Sequence, residues 1–171
     1  MGDWKDSYRW GTLVIWPKGD AKRVCNQLRE TYDPVSQGIC SAHITVTQPF
    51  LQCPDEAALR KVSEIVYEMA PFIIQVGPIE PFVSSPVLKF DLEPKSILME
   101  LRERLHETGL FNLSLPFTEG FIPHMTISEF GLDCPEKARE LSTSLNQRIG
   151  RFTFDCTTLA YIRPDEDFVF S

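Results

Sequence analysis

Two of the three histidines in this chain of 171 residues sit in matching settings. His43-Ile44-Thr45-Val46-Thr47 and His124-Met125-Thr126-Ile127-Ser128 share one order: histidine, apolar, threonine, apolar, hydroxyl. In a strand, successive side chains point to opposite faces. His43, Thr45 and Thr47 therefore share a face, with Ile44 and Val46 behind them as the anchor. The same parity groups His124, Thr126 and Ser128 in front of Met125 and Ile127. Imidazole titrates near neutrality, so one ring can be neutral while another is charged. Set on opposite sides of a phosphodiester, one takes a proton from water and the other gives one to the leaving oxygen. The threonine hydroxyls donate to the non-bridging oxygens, where charge builds in the transition state. This scheme needs no metal and no cofactor.

Chance is a weak competitor. With eleven threonines in the chain, two of three histidines carrying one two places on has odds of roughly one in a hundred, before the matching apolar positions are counted. His106 has no such partner and lies near Leu101 and Leu105 in a helix-like run, so it reads as structural. Thr47 and Ser128 join the candidate ligand contacts by parity alone. Trp16, Phe50, Phe130 and Tyr161 are candidates for stacking on a base, worth ~1–3 kcal/mol where it occurs, against the commoner role of a core aromatic. Lys89 and Arg163 are candidates for steering a phosphate, against a plain reading as solvated charge.

Composition narrows the partners. A net charge of −7 and a pI near 5.0 argue against a broad basic groove for a long polyanion. A small anion needs only a local positive pocket. The expected partner is thus a small nucleotide or an RNA terminus, with no membrane and a monomeric chain. Five cysteines are scattered with no Cys-x-x-Cys, which reads as reduced thiols and disfavours a zinc site. The charged start, Met1-Gly2-Asp3-Trp4-Lys5-Asp6, resembles neither a secretory leader nor a myristoylation site. The expected location is cytoplasmic, or nuclear in a eukaryote. No apolar run is long enough to span a bilayer.

Several elements must position the motifs. A polar lead-in over 1–10 precedes a strand from Thr12 to Trp16, and Asp20 caps a helix to about Tyr32. Asp33-Pro34 and Gly38 make a loop before the first motif strand, 42–47. Pro54 opens a helix with a stripe of Ala58, Leu59, Val62, Ile65, Val66 and Met69. Phe72 to Val76 and Val87 to Asp91 read as strands, the first broken at Gly77-Pro78. In the second, Leu88 and Phe90 face away from Lys89 and Asp91. A helix opened by Pro94 carries Leu98, Leu101 and Leu105. A loop over 110–120 leads to the second motif strand, 121–128, and Pro135 opens a helix to about Ile149. Phe152 to Ile162 reads as one long strand, and Phe168 to Phe170 as a last one. Each half runs motif strand, proline, helix. One domain over 1–171 is expected, of class α+β: bilobal and pseudo-twofold symmetric, with two small antiparallel sheets facing across a central cleft and helices outside.

His43-Ile-Thr-Val and His124-Met-Thr-Ile, the latter preceded by Pro123, resemble the paired His-x-Thr-x motifs of the two-histidine (2H) phosphoesterases. That superfamily includes LigT-like RNA 2′,3′-cyclic phosphodiesterases and the plant and yeast cyclic nucleotide phosphodiesterases. The resemblance covers nearly the whole chain. It implies a bilobal fold with both motifs in one cleft, and metal-independent opening of a 2′,3′-cyclic phosphate, usually to a 2′-phosphate. It implies His43 and His124 as catalytic residues, His124 as the base, and Thr45 and Thr126 as phosphate ligands. Two alternatives stay open: a 2′-5′ RNA ligase or phosphodiesterase, and a nucleotide-binding regulatory module that keeps the pocket without turnover.

Overall fold

The computed structural model describes residues 4–171; residues 1–3 of the expected lead-in lie outside the described residues. The element order is α1 (Trp4–Tyr8), β1 (Thr12–Ile15), α2 (Gly19–Tyr32), α3 (Pro34–Ile39), β2 (Ile44–Thr45), α4 (Glu56–Glu68), β3 (Phe72–Pro81), β4 (Leu88–Glu93), α5 (Lys95–His106), β5 (His124–Ser128), α6 (Pro135–Asn146), β6 (Phe152–Cys156) and β7 (Ala160–Ile162). Most helix starts have visible causes. The Asp55 carboxylate accepts from the Ala58 N–H at 2.8 Å and caps α4, so the cap lies one residue past Pro54. Pro135 occupies the first turn of α6, where its missing N–H costs nothing. Asp20 does not cap α2; it sits in the first turn, where the helix dipole favours a negative charge. The expected loop at Asp33-Pro34 is instead the short helix α3, capped by the Asp33 carboxylate on the Ser36 N–H.

The strands form one antiparallel sheet in the order β6-β3-β4-β5-β2-β1-β7. The α+β antiparallel class is as expected, but the two halves do not carry separate facing sheets. They are joined edge to edge where β2 pairs with β5. The expected single strand over 152–162 is two, β6 and β7, at opposite edges of that sheet. Residues 157–159 connect them and reach about 14 Å at full extension. Seven strands laid flat would put those edges roughly 29 Å apart. The sheet must therefore curl. Gly77-Pro78 forms a bulge within a continuous β3, marked by a register shift between Val76 and Ile79. The expected last strand reduces to one bridge, Pro164 to Phe170.

The four longer helices cover one face of the sheet. Cys25 and Leu28 of α2, Val62 of α4, Leu98, Leu101 and Leu105 of α5 and Leu145 of α6 pack with Ile15, Ile44, Phe90 and Met125 in the main core. The other face carries the polar motif side chains. A smaller cluster on Val14, Ile162 and Phe170 covers that second face near β1 and β7.

Candidate active site

The pairing that joins the two halves also assembles the motifs. Ile44 of β2 sits opposite Met125 of β5. These residues hold the same place in the two motifs, 81 positions apart. The pair therefore lies on the pseudo-twofold axis, which runs through the sheet. Both side chains are 1% exposed or less and point into the core. Carrying the register one residue either way puts His43 opposite Thr126 and Thr45 opposite His124. Opposed residues have Cβ atoms about 5 Å apart and diagonal ones about 7–8 Å. The two imidazoles thus stand on one diagonal and the two threonines on the other, within one patch. All four side chains are half-buried.

Neighbouring strands extend this patch in two rows. Glu80 pairs with Lys89 and Lys89 with Thr126, and beyond His43 the Trp16 ring follows, 6.3 Å from the imidazole. The second row runs Asp91, His124, Thr45 and Val14.

The rings are held alike. His43 Nδ1 lies 2.7 Å from the Ser41 carbonyl, and His124 Nδ1 lies 2.6 Å from the Ile122 carbonyl. A carbonyl only accepts, so each Nδ1 carries the proton and donates it there. That leaves both Nε2 atoms to meet a ligand. Burial lowers the His43 pKa to about 4; the Ser41 bond opposes this, while the Arg29 and His124 charges add to it. Burial also lowers His124, against the Ile122 bond and with help from Lys89. Both shifts favour the neutral imidazole at neutral pH.

The flanks differ. Around His124, the Phe82 ring stands at 4.8 Å and nearly perpendicular, and Phe121 at 5.7 Å. Around His43 there is Trp16, centroid 6.3 Å away, and beyond it an open groove of about 510 Å³. Lys89 is buried beside the His124 flank. Its ammonium donates to Glu80 at 2.7 Å, sits 3.6 Å from Asp91 and lies over the Phe82 ring at 5.1 Å. Its charge is matched by carboxylates already there.

The ladder between β2 and β5 is one pair long, and carbonyls just beyond it accept from side chains. Two buried arginines cap them from across the axis. Arg29 of α2 donates to the Thr126 carbonyl at 2.9 Å, and Arg102 of α5 donates to the Val46 carbonyl at 2.7 Å. Each helix reaches the motif strand of the other half. The Arg102 guanidinium also lies 3.9 Å over the Phe121 ring, linking it to the rim around His124.

Other sequence candidates fall elsewhere. Thr47 and Ser128 are fully buried. The Thr47 hydroxyl meets Thr12 Oγ1 and accepts from the Leu13 N–H, and the Ser128 hydroxyl accepts from the Gly131 N–H. A bulge follows each His-x-Thr and ends the parity on which both assignments stood. Val46 and Thr47 both donate to the Leu13 carbonyl, and the β4–β5 register shifts after Thr126. Phe50 is a core residue, 4.5 Å from Phe111. Tyr161 packs on Phe50 and donates to the Trp10 carbonyl. Phe130 is exposed on the loop after β5, where its N–H and that of Glu129 are held by Asp33. Arg163 lies just past the end of β7, which pairs with β1 away from Trp16. His106 accepts from the Gln48 N–H at 3.0 Å, a structural role as expected. Sequence reading missed Phe82, Phe121, Asp91, Arg29 and Arg102. The two arginines had a signal: Arg29 falls four residues after Cys25, and Arg102 four after Leu98, on otherwise apolar stripes.

Among the described residues, no cluster of three His, Cys, Asp or Glu side chains is arranged to hold a metal ion. No helix among them is long and apolar enough to cross a membrane. All five cysteines are free thiols.

A family model described as the 2′-5′ RNA ligase superfamily matches residues 16–168. Two solved structures share the fold. Escherichia coli LigT complexed with NADP+ aligns with a TM-score of 0.54 at 15% identity, covering 96% of this chain and 93% of that one. A structure described as a phosphoesterase aligns with a TM-score of 0.57 at 15% identity, covering 95% and 92%. No curated protein matches the chain in sequence.

Proposed function

The chain belongs to the 2′-5′ RNA ligase superfamily, and from that footing we propose that it is a phosphodiesterase of the two-histidine kind. It opens the 2′,3′-cyclic phosphate of a nucleotide or RNA end to a 2′-phosphate. The Ile44–Met125 pairing carries this reading, because it sets two imidazoles with free Nε2 atoms and two threonine hydroxyls around one anion-sized patch.

One Nε2 takes a proton from water as the water oxygen bonds to phosphorus. The P–O3′ bond breaks, and O3′ takes a proton from the other Nε2. Thr45 and Thr126 donate to the non-bridging oxygens. The unequal flanks orient the substrate. The enclosed side, between Phe82 and Phe121, suits a small nucleophile, while the nucleoside fits the open side at Trp16. On this arrangement His124 is the base and His43 the acid, which agrees with the resemblance. Burial favours the neutral His43 ring, so its proton arrives with the anion, whose charge favours imidazolium.

A product assay tests this on nucleoside 2′,3′-cyclic phosphates, cyclic-phosphate-ended RNA and 2′-5′-linked oligonucleotides. The expected result is turnover of a cyclic phosphate to the 2′-phosphate, unchanged by a chelator. A 3′-phosphate product, or activity lost to EDTA and restored by zinc, overturns the scheme. The family description favours a second reading, action on 2′-5′ linkages in RNA; turnover of that arm alone would select it. Tight binding with no product would select a regulatory module.

A further inference from the structure

The groove beside His43 extends past Trp16, where the proposed function places the nucleoside, to two lysines that this reading leaves without a role. Trp16, Pro17, Lys18, Lys22, Ser41 and Ala42 line it. It adjoins the His43 ring, because the Ser41 carbonyl holds that ring and the Trp16 ring, which lines the groove, stands 6.3 Å from it. At about 510 Å³ it falls in the range of small-molecule sites, ~300–1,000 Å³. Its charge runs against the chain as a whole. The protein carries −7, yet the charged residues lining the groove are two lysines and no carboxylate. Lys18 is the N-cap residue of α2 and Lys22 lies one turn into the helix, and both line the groove. The Lys18 ammonium donates to the neutral Thr157 hydroxyl at 2.8 Å, which leaves its charge uncompensated. Lys22 makes no side-chain hydrogen bond or ion pair among the described residues. The nearby Asp20 is engaged by Arg23 at 3.0 Å. On the opposite flank the comparable cation, Lys89, is already matched by Glu80 and Asp91.

We infer that this groove binds a second phosphate of the substrate: the one on O5′ of the nucleotide whose cyclic phosphate lies between the histidines. Lys18 and Lys22 hold that phosphate, and Trp16 flanks the nucleoside joining the two. The inference rests on the orientation given under the proposed function, with the nucleoside on the His43 side. A free 5′-monophosphate and the 5′ phosphodiester of an RNA end present the same chemistry there.

Titration calorimetry on the full chain separates this from catalysis, because it needs no turnover. The probes are adenosine 2′-monophosphate and adenosine 2′,5′-bisphosphate. The expected result is about tenfold tighter binding of the bisphosphate at low salt, an advantage that shrinks as salt rises. Lys22→Glu removes most of that advantage, and Lys18→Gln part of it. Equal affinity of the two probes in the unaltered protein overturns the inference. So does a Lys22→Glu variant that weakens both probes by the same factor. A kinetic arm compares a nucleoside 2′,3′-cyclic phosphate with its 5′-phosphorylated form and with a dinucleotide ending in the same cyclic phosphate. Turnover without a 5′-phosphate preference removes the groove from the substrate path and leaves the phosphodiesterase standing. A bisphosphate advantage without any turnover does the reverse. A gain with the free 5′-phosphate alone identifies mononucleotides as the ligand; a gain with both identifies RNA ends as well.

Discussion

Replacing Arg102 with methionine tests how the two halves hold each other's motif strand. The side chain is 3% exposed, and burial lowers its pKa only to about 10, so it is charged at neutral pH. It donates to the Val46 carbonyl at 2.7 Å and the Phe117 carbonyl at 3.3 Å, and covers the Phe121 ring at 3.9 Å. Charged hydrogen bonds contribute about 1.5–3 kcal/mol each, the longer one falling at the low end. The ring contact adds about 1 kcal/mol. Against this, Arg102 has no carboxylate partner among the described residues, so its removal relieves a buried charge. The net expectation is a loss of about 3 kcal/mol. At this chain length, 1 kcal/mol shifts the melting temperature by about 2–4 °C, so Tm should fall about 6–12 °C. Val46 follows Thr45 directly, so kcat should also drop about tenfold or more where circular dichroism shows the variant folded. Urea denaturation reads the first quantity and single-substrate kinetics the second. A stability loss below about 1 kcal/mol would refute the energetic reasoning. Full loss of stability with unchanged kcat would refute the positioning of Thr45 by Arg102.

Three further outcomes follow from the site and its surroundings. His43→Gln and His124→Gln should each lower kcat by about 10²–10⁴, with the double variant little worse because the two act as a unit; Thr45→Val and Thr126→Val, each losing one hydrogen bond, should cost less. The singly protonated free site is scarce at neutral pH because burial lowers both imidazoles, so kcat/KM should peak below pH 6.5 and fall as pH rises. The kcat profile should extend to higher pH, since bound phosphate raises the imidazolium pKa; superimposed basic limbs would contradict this. His106 is also lowered by burial, to about 4. A folded pKa below the unfolded value near 6.5 gives stability that is complete above ~6.5 and lost as pH falls toward 4. Melting curves should show that loss, and His106→Gln should flatten it.

The repeated His-x-Thr was legible because side-chain alternation is a property of the extended backbone and needs no partner. The same locality made the apolar stripes of α4 and α5 readable, and the opposed faces of Leu88 and Lys89. Alternation holds only while the ladder is regular, and here it was over-extended. The bulges at Val46 and after Thr126 turn Thr47 and Ser128 inward, and a bulge depends on the partner strand as much as on its own residues. For Phe50 the structure selects the core role over stacking on a base, a choice the sequence left open because an aromatic's letter does not say which side of the sheet receives it.

The amino-acid sequence by itself determined the candidate groups of the proposed site, two imidazoles and two hydroxyls on anchored strands, and an antiparallel α+β class. These follow from chemistry and short-range geometry. Tertiary structure alone decided that the halves share one curled sheet, that Ile44 meets Met125, and that Arg29 and Arg102 cross between halves. It also enclosed one flank with Phe82 and Phe121 and left the other open at Trp16. Those features depend on pairing register and on packing between residues far apart in the chain, and no local pattern encodes either.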